Sequence, residues 1–223
     1  KTHTETRMVI TDPIRLVITN YEGQEELSVE NSMAEDATRR TVTFSNELYI
    51  ERTDFMKEPP KKYFRLYPGN EVRLKGAYIV KCTGYDEQTN TVYAEYDPET
   101  KSGGTSTKKV KGTIHWVDAK NAIPCECRLY EMLLDKENPE DENGNPNINP
   151  DSLKVCQGFA EKSLKEANVD DKFQFLRMGY FRKDEDSTPE KPVFNRIVTL
   201  KDSFKLLDSS YTEHTEAPAT ELF

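Results

Sequence analysis

Apolar residues in this chain recur mostly at every second position, and Gly, Asn, Asp and Pro break the pattern at short intervals. That alternation is the signature of half-buried β-strands, whose successive side chains face opposite sides of a sheet. Met8 to Asn20 is rich in Val, Ile and Leu and is broken at Asp12-Pro13. Thr41 to Arg52 alternates through Val42, Phe44, Leu48 and Ile50, and Glu71 to Cys82 through Val72, Leu74, Tyr78 and Val80. Thr91 to Tyr96, Val110 to Val117, Cys125 to Leu134, Leu153 to Phe159, Lys172 to Arg182 and Val193 to Leu200 read the same way. Turns are expected at Tyr67-Pro68-Gly69-Asn70, Asp86 to Asn90, Asp97 to Gly104 and Asn143-Gly144-Asn145-Pro146. Many short strands with this punctuation predict an all-β barrel or sandwich.

Helical periodicity is scarce. Glu161 to Ala167 is long enough for two turns and Glu51 to Met56 for one. Gly23 to Asp36, the acidic stretch Lys136 to Asp151 and the tail from Asp208 read as loosely ordered. The 223 residues accommodate two β-modules of roughly 100 residues each. No run approaches the roughly 18 apolar residues of a membrane-spanning helix. Lys1 to Arg7 lacks an apolar secretory core, so no membrane partner and no export are expected. The first residue is not Met, as in a piece of a longer chain.

Charge is unevenly distributed. The net charge is −9 overall, yet Phe55 to Lys120 carries +4 and the remainder −13. This argues against a polycation that coats nucleic acid, and it marks one basic stretch. Within it, the period of two sets Arg73 and Lys75 opposite Val72 and Leu74. Arg65 precedes the Pro68-Gly69 turn, and Lys61, Lys62, Tyr63 and Phe64 mix cations with rings. Lys108, Lys109 and Lys111 follow a flexible Ser102-Gly103-Gly104 turn. Guanidinium groups suit phosphates and base edges, while rings stack on unpaired bases, so the mixture fits single-stranded nucleic acid. Composition alone favours the plainer reading of a solvated barrel face, since Lys and Arg are common on strand surfaces.

Catalytic signatures are missing: no phosphate-binding Gly-rich loop, nucleophile elbow or zinc-protease motif occurs. His115, beside Trp116, reads as a structural imidazole rather than a general base. Cys82, Cys125, Cys127 and Cys156 read as reduced core thiols. Cys125 and Cys127 form C-x-C, a poor zinc spacing, so neither metal nor catalytic residues are assigned.

Five collinear segments carry a resemblance. They are Thr11-Asp12-Pro13-Ile14-Arg15-Leu16-Val17-Ile18-Thr19-Asn20-Tyr21, Gly69-Asn70-Glu71-Val72-Arg73-Leu74-Lys75-Gly76-Ala77-Tyr78, Lys111-Gly112-Thr113-Ile114-His115-Trp116-Val117, Gln157-Gly158-Phe159-Ala160-Glu161 and Lys191-Pro192-Val193-Phe194-Asn195-Arg196. Together they resemble the C-terminal anticodon-binding region of glutaminyl-tRNA synthetase, from about Met8 to Phe204. The equivalent region of eukaryotic and archaeal-type glutamyl-tRNA synthetases is the nearest alternative, and a protein-interaction β-module is the rival of another class. A hydrolase with an unrecognised site ranks last.

The resemblance implies an all-β fold of two consecutive β-barrels of the anticodon-binding type, with few short helices. A proximal barrel would take residues 1–111, a distal barrel 112–192, a returning strand 193–207 would complete the proximal barrel, and 208–223 would form a tail. It implies a monomeric cytoplasmic protein whose partner is the anticodon loop of glutamine tRNA (C or U, then U, then G). The family's catalytic half, with its His-x-Gly-His and Lys-Met-Ser-Lys-Ser motifs, does not occur in this sequence. No cofactor is therefore expected in this chain, ATP and magnesium belonging to the full-length enzyme. Carried over residue by residue, the RNA-binding set is Arg7 (or Thr6, one position away), Lys62, Arg65, Arg73, Lys75, Gln174 and Arg177. Arg73 falls on a reader of the first anticodon base, and Gln174 with Arg177 on readers of the middle base. A regular strand would send Gln174 and Arg177 to opposite faces, so both reach one base only if a bulge or strong twist lies between them.

Overall fold

The computed structural model describes residues 4–131, 133–134, 137–150 and 152–198. Among the described residues, sixteen strands follow one another with three short 3-10 turns between them. They are β1 (Glu5–Arg7), β2 (Val9–Ile10), β3 (Pro13–Ile18), β4 (Gln24–Glu30), β5 (Arg39–Ser45), β6 (Glu47–Glu51), β7 (Glu71–Leu74) and β8 (Ile79–Asp86). The second half supplies β9 (Thr91–Tyr96), β10 (Thr113–Ile114), β11 (Val117–Asp118), β12 (Ile123–Tyr130), β13 (Leu153–Ala160), β14 (Lys172–Phe175), β15 (Gly179–Lys183) and β16 (Val193–Val198).

Two seven-stranded, barrel-like sheets result. The first runs β10-β7-β8-β9-β3-β6-β11 and the second β1-β14-β15-β16-β12-β13-β2, with β4-β5 as a separate hairpin. In each sheet the two outermost strands are neighbours in the chain. Only Met8 separates β1 from β2, and only His115 and Trp116 separate β10 from β11. Consecutive Cα atoms are about 3.8 Å apart, so in each sheet one edge strand runs almost directly into the other and the sheet curls; one sheet is nearly closed and the other is a half-barrel. Curling hides strand edges that would otherwise pair with other chains.

The first core gathers Leu16, Ile18, Phe44, Leu48, Ile50, Leu66, Val72, Leu74 and Trp116, all fully buried, and reaches Met8 from the β1–β2 segment. The second gathers Val9, Cys125, Cys127, Phe173, Phe175, Phe181 and Phe194. The cysteines are free thiols, and burial pushes Cys156 up from its ordinary pKa. The alternation expected from Glu71 to Lys75 is present on β7, with Val72 and Leu74 buried and Arg73 on the other face.

Several expectations are corrected. Gly23 to Asp36 holds β4, which pairs residue by residue with β5; Leu27 and Val29 anchor it in the first core. Glu71 to Cys82 is a hairpin, because Gly76 adopts φ +71° and turns the chain between β7 and β8. Lys172 to Arg182 is likewise a hairpin, β14–β15. The described part of the expected returning strand, β16, does not join the first sheet: it lies between β12 and β15 of the second, where Phe194 is fully buried. Residues 199–207 and the tail lie outside the described residues. The crossing strands come instead from β1 and β2, which pair with β14 and β13, and from β10 and β11, which pair with β7 and β6.

Candidate nucleic-acid interface

Where the two sheets meet, a 620 Å³ cavity is lined by Asp54, Arg65, His115, Lys154, Gln157 and Arg177, among others. Arg177 reaches it from the β14–β15 turn. There the chain reverses in a short loop closed by the Met178 N–H donating to Phe175 O at 2.9 Å, with Arg177 itself at φ +64°. This left-handed conformation is uncommon for a non-glycine residue. It aims the side chain across to the first barrel.

Asp54 meets it there, in the 3-10 turn Arg52–Asp54 that follows β6. The carboxylate is fully buried. Arg177 Nη1 donates to Oδ1 at 3.1 Å and Nη2 to Oδ2, while Arg65 Nη1 stands 3.3 Å from Oδ1. Behind the fork, Arg177 Nε lies 3.2 Å and Nη2 2.9 Å from His115 Nδ1. Arginine only donates, so Nδ1 must be the bare acceptor nitrogen. The ring proton then sits on Nε2, which donates to Val9 O at 3.0 Å. His115 is thus a structural imidazole, and it links the segment between β10 and β11 to β2.

In the wall of the same cavity, Glu51 accepts from the Thr11 N–H at 2.7 Å and the Asp12 N–H at 3.1 Å. Burial alone would raise its pKa; the neighbouring imidazole and these backbone N–H groups together hold it below the usual carboxylate range. The N–H bonds are the stronger geometric reason, since His115 Nε2 lies 3.7 Å away and is bonded elsewhere. Tyr63 donates to Thr53 O at 2.9 Å; burial and then Asp54 push its hydroxyl up to about 12.

A second cavity of 730 Å³ opens beside the first barrel, lined by Lys61, Lys62, Tyr63, Phe64, Lys108, Lys109 and Lys111. Lys62 adopts φ +64°, and Lys111 Nζ sits 4.9 Å over the half-exposed Phe64 ring. Lys108 is tied to Glu71 at 2.7 Å and Asp97 at 3.4 Å. The mixture of cations and rings in Lys61 to Phe64 therefore shares one concave surface.

The remaining candidates lie elsewhere. Arg73 Nη1 donates to Thr100 O at 2.8 Å, Ser102 Oγ at 3.0 Å and Ala77 O at 3.2 Å. Lys75 is held through its backbone, its N–H on Ile114 O and its C=O receiving the Trp116 Nε1–H, both at 2.9 Å. Arg7 is largely buried: it pairs with Glu5 at 2.6 Å, donates to Asn31 Oδ1 at 3.3 Å and covers the Phe173 ring. Burial lowers its pKa. Gln174 faces a third cavity with Thr6, Met33 and Tyr180, apart from the one that holds Arg177. The two residues therefore line different cavities, and what lies between them is the β14–β15 hairpin turn and not a bulge that would bring them together. Asp54 is the site residue that sequence reasoning overlooks; nothing local to Arg52-Thr53-Asp54 signals partners 11 and 123 residues away. Among the described residues no group of three or more His, Cys, Asp or Glu is placed to hold a metal, and no helix is long and apolar enough to cross a membrane.

Both barrels have family counterparts. Residues 6–97 and 113–184 each match an anticodon-binding domain of class I tRNA synthetases of the E and Q type. The chain belongs to this family. Curated relatives of the anticodon-binding region include the glutamine–tRNA ligases of Clostridium perfringens (56% identical over 210 residues) and Clostridioides difficile (55% over 210); each alignment covers 89% of this chain and 38% of the relative. That of Cupriavidus taiwanensis is 48% identical over 209 residues, covering 88% of the chain and 36% of the relative. The chain thus spans little more than a third of the length of these ligases.

Proposed function

We propose that this chain is the anticodon-reading part of a glutamine–tRNA ligase and grips the anticodon loop of glutamine tRNA across its two barrels. The carrying observation is that Arg65 from the first barrel and Arg177 from the second share one buried carboxylate at the mouth of a common cavity. Recognition of single-stranded RNA needs splayed bases, donors for their edges and flat groups to stack on. The junction supplies guanidinium donors and planes, and the neighbouring basin adds lysines beside Tyr63 and Phe64. Arg73 retains the Nε edge of its fork for a base, since its recorded bonds all use Nη1. The acidic remainder repels RNA elsewhere, which favours the one correct docking. Activation of glutamine, with ATP and magnesium, falls to the rest of the ligase; this chain acts as a cytoplasmic monomer in gripping the tRNA.

Competition binding with anticodon stem-loops, at one fixed salt concentration, tests the reading. The glutamine anticodon should bind more tightly than single-base variants by about 1–3 kcal/mol per base, as for bidentate base contacts. Equal affinity for all stem-loops would overturn it.

A further inference from the structure

We propose that Asp54 and His115 are positioning residues that lock Arg65 and Arg177 into one RNA-facing unit, and thereby set what each guanidinium can offer. The inference rests on the anticodon-reading function proposed above.

Asp54 is fully buried, so it cannot touch RNA itself. An ionised carboxylate accepts about four hydrogen bonds, enough for the Arg177 fork and for Arg65 together. A buried carboxylate needs such partners, because an unpaired charge there is strongly unfavourable. The two arginines come from different barrels, so the shared carboxylate fixes the distance between them. It also cancels one of their two charges, leaving the mouth of the cavity with a single net positive charge from the trio.

The donor count separates the roles. Guanidinium has five N–H groups. Arg177 directs Nη1 and Nη2 to Asp54, and Nε with Nη2 to His115 Nδ1. What remains is one N–H on Nη1 and the flat face of the group. Arg65 uses only Nη1, toward Asp54 and toward Thr53 O at 3.5 Å. Its Nε–Nη2 edge stays open as a two-pronged donor. Arg65 therefore presents a fork, and Arg177 presents a stacking plane with one donor. Both side chains remain partly open to solvent, at 45% and 35%.

The test is competition binding by this chain, with matched stem-loops and single-base variants, for Asp54→Asn, His115→Phe and His115→Asn. Asp54→Asn should reduce discrimination at two anticodon positions together, each by roughly tenfold, while affinity for mismatched stem-loops changes much less. His115→Phe should do so at one of those positions only. His115→Asn should keep wild-type discrimination, because its Oδ1 takes the place of Nδ1. Should Asp54→Asn fail to fold by circular dichroism, the two His115 variants decide alone. Equal loss for matched and mismatched RNA, or unchanged discrimination in His115→Phe, would overturn the positioning role and leave anticodon reading intact. A wild-type chain indifferent to the anticodon would remove both.

Discussion

A cation's availability to RNA depends on what the fold has already placed against it, and Arg73 shows this most clearly. Its Nη1 holds the hairpin at Ala77 and the 98–102 turn at Thr100 and Ser102. Arg73→Ala should therefore lower stability as well as base discrimination, by about 2 kcal/mol for hydrogen bonds made by a charged group. Thermal unfolding checks this, and an unchanged midpoint would show the bonds to be without net effect. Glu51 predicts an acid response. Its folded pKa is depressed, so its contribution is complete above the unfolded value, near pH 4.3. It is lost as pH falls through the lower folded value. Glu51→Gln should thus be less stable than wild type at pH 7, with the gap narrowing below about pH 4. A gap constant down to pH 3 would exclude this role. The cations of the candidate interface are legible in the sequence, since Arg and Lys between aromatic residues stand out. Their orienting partners are not, because Asp54 and His115 acquire meaning only when distant segments meet.

At the scale of elements, alternation identifies strands wherever one face is buried and fails where it is not. Thr91–Tyr96 is read to the residue, and Leu153–Ala160 to within one. The polar β4, with only Leu27 and Val29 turned inward, leaves too weak a pattern. Hairpins hide in long alternating runs because parity continues through a tight turn: Gly76 and Arg177 are such turns, without a Pro or Asn to mark them. Closure of the sheets is invisible in the pattern, since β1 and β2 alternate no differently for lying at opposite edges. One contact makes this closure testable. A Cβ on Gly158 would lie 1.9 Å from Ile10 O, at the pairing of β13 with β2. Gly158→Ala must push these strands apart and should cost about 3 kcal/mol, the upper range for overpacking. Amide exchange should show the largest loss of protection at Val9 and Ile10; uniform loss across the chain would contradict a local opening.

The whole molecule contains two curled sheets and a hairpin, and buried polar contacts join the first sheet and its hairpin to the second. Arg40 of β5 and Glu161, which follows β13, pair at 2.5 and 2.7 Å with both side chains almost wholly buried. Glu161 also accepts the Met8 N–H at 2.8 Å. Tyr49 stacks on Phe159 at 4.3 Å, Arg177 reaches Asp54, and His115 reaches Val9. The second sheet is moreover split in the chain: β1 and β2 come before the first sheet's segment β3–β11, and β12–β16 come after it. Neither sheet can unfold without exposing charge buried against the other. Calorimetry of this chain should therefore give one transition whose calorimetric and van't Hoff enthalpies agree. Glu161→Ala should lower stability by about 3–5 kcal/mol, because it leaves Arg40 buried without its partner. The same variant should loosen the coupling and broaden the transition or split it. Two resolved transitions in the wild-type chain would mean that the barrels fold as separate modules, and a rigid spacing of Arg65 and Arg177 would then have to come from the RNA.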